Sequence, residues 1–115
     1  MERTISRHLG KVISHIELRD NALAIRFTDG KGLNIFDCAC WSSEERYMDT
    51  DDDLSEVIGG VLYGIEIREA PCEDVWVHEV QFLVVKTSKG EVVLQNHNDH
   101  NGYYGGFDVV AREVN

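Results

Sequence analysis

The sequence predicts an α+β protein that is mostly β, with an antiparallel sheet of about six or seven strands and one short helix near residues 51–59. Three observations predict this class. Short runs rich in β-branched and aromatic residues recur along the chain. Turn-forming pairs such as Asp20-Asn21 separate neighbouring runs. One segment has apolar residues at helical spacing.

The first three runs form a predicted antiparallel meander. Residues 11–19 (KVISHIELR) are rich in β-branched side chains, and residues 23–27 place apolar side chains on one face of a second strand. The pair Asp29-Gly30 is typical of a type I′ hairpin turn, and residues 33–37 follow it as a third strand. We expect one face of this meander to be exposed to solvent.

The helix is predicted after the meander. Thr50 precedes three carboxylates at residues 51–53, an order typical of a helix N-terminus, where a hydroxyl caps the backbone and acidic groups favour the macrodipole. Gly59-Gly60 ends the apolar pattern. The pattern predicts a helix of about two and a half turns that packs one apolar edge against the sheet.

Four further strands are predicted in the second half, over residues 61–68, 75–87, 91–97 and 107–114. The run from 75 to 87 is apolar on both faces near its centre, which predicts a central or an interface strand. Because one thin domain cannot cover that much apolar surface, we expect a homo-oligomer, at least a dimer.

The length of 115 residues predicts a single domain spanning residues 1–115. The formal net charge is −10, which argues against binding to duplex nucleic acid or to an anionic membrane. The sequence has no secretory signal or spanning segment, so we expect a cytoplasmic protein whose three cysteines are reduced thiols.

The densest polar cluster is residues 96–101 (NHNDHN), followed by residues 102–106 (GYYGG). Asparagine suits sugar hydroxyls and base edges, and tyrosine rings stack on bases. An ordinary hairpin loop explains the same composition. A metal site formed by His97, Asp99 and His100 is a third interpretation, although the spacing matches no established metal motif.

The sequence contains no motif that joins a nucleophile to a base, so we expect a protein that is not an enzyme and that needs no cofactor and no metal ion. By residue type, the base and ribose of a ligand fit four residues: Asn101, Tyr103, Asn96 and Phe82. Phosphates fit Arg68 and Arg112. Of Tyr103 and Tyr104, we expect one ring to pack inward and the other to stack on the ligand.

Five short motifs resemble a family of small phage-borne domains. They are residues 9–11 (LGK), 27–30 (FTDG), 37–40 (DCAC), 53–59 (DLSEVIG) and 101–104 (NGYY), and they occur in this order. The family includes the type I Thoeris anti-defence proteins, viral sponges that capture cyclic ADP-ribose isomers. The resemblance covers roughly residues 9 to 114, and NGYY is its distinctive motif.

The resemblance implies a viral anti-defence protein that sequesters a nucleotide immune signal in the host cytoplasm without cleaving it. The signal is of the cyclic ADP-ribose or cyclic oligonucleotide type. It further implies dimers with ligand pockets at subunit interfaces, so that the assembly is a dimer or a trimer of dimers. Two alternatives stay open: an acidic inhibitor that contacts a host protein directly, and a metal-dependent hydrolase that uses His97, Asp99 and His100.

Overall fold

The computed structural model describes residues 2–38, 45–69, 78–99 and 107–114. Within these ranges the secondary structure is one short α-helix, one 3-10 helix and eight strands. In chain order these are α1 (Glu2–Ser6), β1 (Ile13–Arg19), β2 (Ala22–Phe27), β3 (Gly32–Asp37), β4 (Glu45–Asp49), the 3-10 helix (Leu54–Val57), β5 (Leu62–Glu69), β6 (His78–Thr87), β7 (Gly90–Asp99) and β8 (Val109–Val114).

The strands form two antiparallel sheets of four. The first sheet has the order β1-β2-β3-β8, and the second has the order β4-β7-β6-β5. The mostly β class and the antiparallel pairing are confirmed, but the prediction of one sheet with six or seven strands is wrong. The sequence pattern shows where strands occur, whereas the division into sheets depends on pairing between distant segments. β4 was not predicted, because ERYMD has no clear apolar alternation.

The predicted meander is confirmed, with one change in its turns. Asp20 and Asn21 have φ values of 52° and 60°, as the two central residues of a type I′ turn require. The type I′ prediction for Asp29-Gly30 is wrong. Only Gly30 has positive φ there, and the loop closes more widely, with the Phe27 amide donating to the Lys31 carbonyl at 2.9 Å.

The predicted helix near residues 51–59 is reduced to a 3-10 helix of four residues, and its N-cap is Asp53. The Thr50 hydroxyl, the expected cap, instead donates to the Val93 carbonyl of β7 at 2.6 Å. Asp52 accepts from the Val93 amide at 2.7 Å. Thr50 Oγ1 also accepts from the Asp52 amide at 3.1 Å, so the two side chains close a local turn against β7 and the helix begins only after Asp53.

The apolar inner faces of the two sheets share one core. The first sheet contributes fully buried Leu23, Ile25 and Ile35, and the second contributes Leu83 and Leu94. Backbone hydrogen bonds join the sheets at one corner, where residues 10–13 bond to residues 59–62. Gly59 at this corner has a φ of 87°, which favours glycine.

The N-terminal segment, for which no element was predicted, covers one end of this core. Ile5 of α1 is buried, and the ring of His8 stacks on Phe27 with 5.1 Å between centroids. Lys11 Nζ lies 3.0 Å from His8 Nδ1 and 2.7 Å from Asp29. Because an ammonium can only donate, it assigns the lone pair to Nδ1 and the proton to Nε2, which faces Glu113 at 3.4 Å.

The opposite end of the core is bounded by strand ends from both sheets. β3 ends beside the start of β8, with Asp37 paired to Val109. In the second sheet β7 ends where β4 and β6 begin, with Asp99 paired to Glu45 and to His78. We call this region the polar end, because the buried side chains there change from apolar to amide.

Candidate functional site

Three amide side chains continue the inner face of the second sheet into the polar end. Leu83 and Leu94 face each other in the core, and one step further along the same face Gln81 is paired with Asn96. Asn98 follows on β7. The three are between 0% and 6% exposed. Every second side chain of a strand faces the core, and these inward-facing side chains are leucines in the middle of the strands and amides at their ends. Buried amides require polar partners.

A small cavity lies between the sheets at this position. Four residues line it: Asn21 from the β1–β2 turn, Asp37 from the end of β3, Tyr47 from β4 and Asn96 from β7. Its volume is about 20 Å³, enough for about one water-sized group. Asn96 is 2% exposed, and its Nδ2 has no hydrogen-bond acceptor among the described residues. A buried donor of this kind is favourable only when an oxygen occupies the cavity.

Asp37 brings a carboxylate to the cavity. One of its oxygens accepts from the Asp108 amide at 2.9 Å, which fixes the side chain at the end of β3. A carboxylate repels phosphate but accepts from hydroxyl and amino groups. Together with the Asn96 amide donor, it matches a ligand group that is both donor and acceptor, such as a ribose hydroxyl or a base edge.

Tyr47 adds an aromatic surface at the same end, but on the outer face of the second sheet, because its neighbour Met48, paired with Asn96, faces the core. The Tyr47 ring stacks on His97, with 4.4 Å between centroids and 8° between planes. His97 Nε2 lies 2.9 Å from Asp49 Oδ1, and the Gln95 amide, oriented with its nitrogen toward Asp49, donates to the same oxygen at 2.9 Å. The histidine ring is therefore held in place beneath the tyrosine, which remains 36% exposed.

The structure does not bring the described members of the predicted site together. Asn96 faces the interior, while Phe82 and Arg68 are cross-strand neighbours on the outer face of the second sheet. Arg112 lies on the outer face of the first sheet, 5.3 Å from the centre of the Phe36 ring. Asn101, Tyr103 and Tyr104 lie outside the described residues.

Arg68 already has an anionic partner. Its Nε and a terminal nitrogen each donate to a Glu66 oxygen at 3.1 Å, and Lys86 Nζ lies 2.7 Å from the same carboxylate. Glu66 raises the pKa of Arg68, and in return Arg68, followed by Lys86, lowers the pKa of Glu66 from 4.5 to about 2. A phosphate at Arg68 must therefore compete with Glu66.

This ion pair predicts a measurable pH dependence. Because the pKa of Glu66 is lower in the folded protein, the pair stabilises the fold fully above about pH 4.5, and this contribution is lost as the pH falls toward 2. We expect Glu66→Gln to flatten the dependence of the melting temperature on pH. The melting temperature is measured from about pH 5 to about pH 2 in steps of about 0.5 pH unit. Equal slopes for Glu66→Gln and the wild type would show that the pair does not contribute.

The described residues give little support to the interpretation as a metal site. His97 is paired with Asp49, whereas the side chain of Asp99 and the whole of His100 lie outside the described residues. Within the described ranges, no group of three His, Cys, Asp or Glu side chains is arranged to hold a metal ion. The Cys38 thiol donates to Asp108 at 3.2 Å. None of the helices described is long and apolar enough to cross a membrane.

Sequence reasoning found Asn96 by residue type but missed Tyr47 and Asp37. The signal for both is their pairing: Tyr47 lies opposite His97, and Asp37 lies at the point where β3 meets β8. Each pairing joins segments that are distant in the chain. Because β4 was not predicted, none of its residues could be proposed for the site from the sequence alone.

The fold and cavity define a two-sheet antiparallel β protein with a polar site at one end of its core. Residues 6–110 match the family described as a domain of unknown function (DUF7448), and the chain belongs to that family. No curated protein and no solved structure is significantly similar to it. The resemblance to the Thoeris anti-defence proteins stays a hypothesis.

Proposed function

We propose that this protein is a viral anti-defence sponge that binds a cyclic ADP-ribose-type or cyclic oligonucleotide signal in the host cytoplasm and does not cleave it. The observation that carries the proposal is the buried Asn96 donor, which has no acceptor among the described residues and faces a cavity shared with Asp37. A binding protein keeps such a group because the ligand completes its hydrogen bond.

The cavity chemistry favours the nucleoside part of the ligand over its phosphates. The Asp37 carboxylate can accept from a hydroxyl or amino group, and a volume of about 20 Å³ admits a single polar group rather than a ring. We therefore propose that one ribose hydroxyl or base substituent enters between Asn96 and Asp37. The base then extends around the edge strand β4 to the exposed ring of Tyr47 on the outer face, and the phosphates remain toward solvent.

Retention without cleavage is consistent with the side chains that line the cavity. They are two amides, one carboxylate and one tyrosine, which are groups that recognise polar edges and aromatic faces. Such binding needs tight positioning of an intact ligand and no residue that breaks a bond. We further propose that the protein is a homo-oligomer.

Replacing Tyr47 tests the placement of the base. We expect Tyr47→Ala to weaken binding of cyclic ADP-ribose or of a cyclic dinucleotide about tenfold to a hundredfold, because base stacking on an aromatic ring contributes roughly 1 to 3 kcal/mol. Tyr47→Phe keeps the ring and is the matched control, with affinity close to the wild type. Isothermal titration calorimetry measures both. Unchanged affinity in Tyr47→Ala would move the base elsewhere.

A further inference from the structure

The second sheet has an edge strand whose outer side lacks a strand partner among the described residues. β5 pairs with β6 on one side, and on the other side only its first residue is bonded, through Leu62 to Gly10 and Lys11. From residue 63 to residue 69 the described chain provides no further ladder on this side. Such an edge is a template for pairing with another strand.

Apolar surface accompanies this open edge. Ile65 and Ile67 pack against the core but are only partly buried, in contrast to the fully buried Leu83 opposite Ile67. Beside them lies a groove of about 240 Å³ between α1 and β5, which Leu9 borders with 44% exposure. A strand added to β5 would cover the exposed sides of both isoleucines.

The charges on β5 select a second copy of the same strand as the occupant. Glu66 and Arg68 are two residues apart and therefore share the outer face of the sheet. In an antiparallel pair related by a twofold axis at Ile67, Glu66 of each copy lies directly opposite Arg68 of the other. Both opposite-charge contacts form at once, and shifting the axis by one residue toward either end places like charges opposite each other.

We infer that β5 is the edge at which two copies of this chain pair, with the twofold axis at Ile67, to give a continuous eight-stranded sheet across the dimer. The pairing joins the backbone edges, places the two Ile67 side chains against each other, and lets the Glu66–Arg68 ion pair continue between copies. This inference does not require the proposed function, because β5 contributes no residue to the cavity at the polar end.

A charge exchange tests the pairing and its register. Arg68→Glu places two carboxylates opposite each other twice in the dimer, and we expect dimerisation to weaken by more than about tenfold. The double variant Glu66→Arg with Arg68→Glu restores opposite charges at both positions, so it should dimerise again. Arg19→Glu, at an exposed position in the first sheet, makes the same change in net charge and is the matched control.

Sedimentation velocity over a concentration series measures association, and circular dichroism melts show that each variant is folded. A dimeric wild type and control, a monomeric Arg68→Glu variant and a dimeric double variant would support the inference. A monomeric wild type, or an Arg68→Glu variant that dimerises as the wild type does, would overturn the use of this edge. A folded but monomeric double variant would overturn the register. Calorimetry with nucleotide reports separately on the proposed function.

Discussion

Replacing Asn96 with leucine is expected to stabilise the protein and to abolish nucleotide binding. The two side chains are similar in size, and Asn96 is 2% exposed with an Nδ2 donor that no described residue satisfies. Removing an unsatisfied buried donor should raise the free energy of unfolding by about 1 kcal/mol. The same change removes the donor that the ligand is proposed to need.

Opposite changes in stability and affinity distinguish a binding residue from a structural one. Urea denaturation measures the first quantity and calorimetry with cyclic ADP-ribose or a cyclic dinucleotide measures the second. Asn34→Leu is the control, because Asn34 lies on the outer face of the first sheet, opposite Arg112. A less stable Asn96→Leu variant that binds normally would assign Asn96 to the fold alone.

Shortening a core leucine is expected to have the largest effect on stability. Leu94 is fully buried and faces Leu83 in the second sheet, so Leu94→Ala leaves a cavity that rigid neighbouring strands cannot fill. We expect a loss of about 3 kcal/mol. Ile25→Ala in the first sheet should cost a similar amount, because both residues belong to the same core.

Urea unfolding of both variants tests whether the two sheets form one cooperative unit. Each variant should unfold in a single transition with a lower midpoint and a slope like that of the wild type. Tyr63→Ala is the control, since this residue is 62% exposed and should change little. Two separate transitions in Leu94→Ala would show that the sheets are not stabilised by a shared core.

The meander was predictable because its information is local. Leu23, Ile25 and Phe27 alternate with less buried residues, and all three are 0% to 2% exposed. The Asp20-Asn21 turn follows from the ease with which these two side chains adopt positive φ. The run over residues 75–87 was expected to be a central or an interface strand, and the strand order confirms that β6 is central.

The extent of the helix was not predictable, because it depends on partners that are distant in the sequence. Thr50 and Asp52 have the right residue types for a helix start, but both bind the Val93 backbone, which is about 40 residues away in sequence. Long-range backbone partners compete with local capping, and the sequence of the segment alone gives no measure of that competition.

The candidate site was also only partly predictable. Asn96 was singled out by residue type, yet it is buried because it faces the same side of β7 as Leu94. Tyr47 became part of the site only through the pairing of β4 with β7. Within one copy of the chain, Arg68 and Arg112 lie on outer faces of different sheets, a separation that residue type alone cannot predict.

Native mass spectrometry shows whether the protein holds an intact nucleotide. The wild-type protein is incubated with cyclic ADP-ribose isomers and cyclic oligonucleotides, its mass is recorded, and the nucleotide is then released by heating and identified by chromatography. We expect a stoichiometric adduct with one member of the panel and recovery of that compound unchanged. Recovery of a hydrolysed product, or no adduct with any member of the panel, would contradict it.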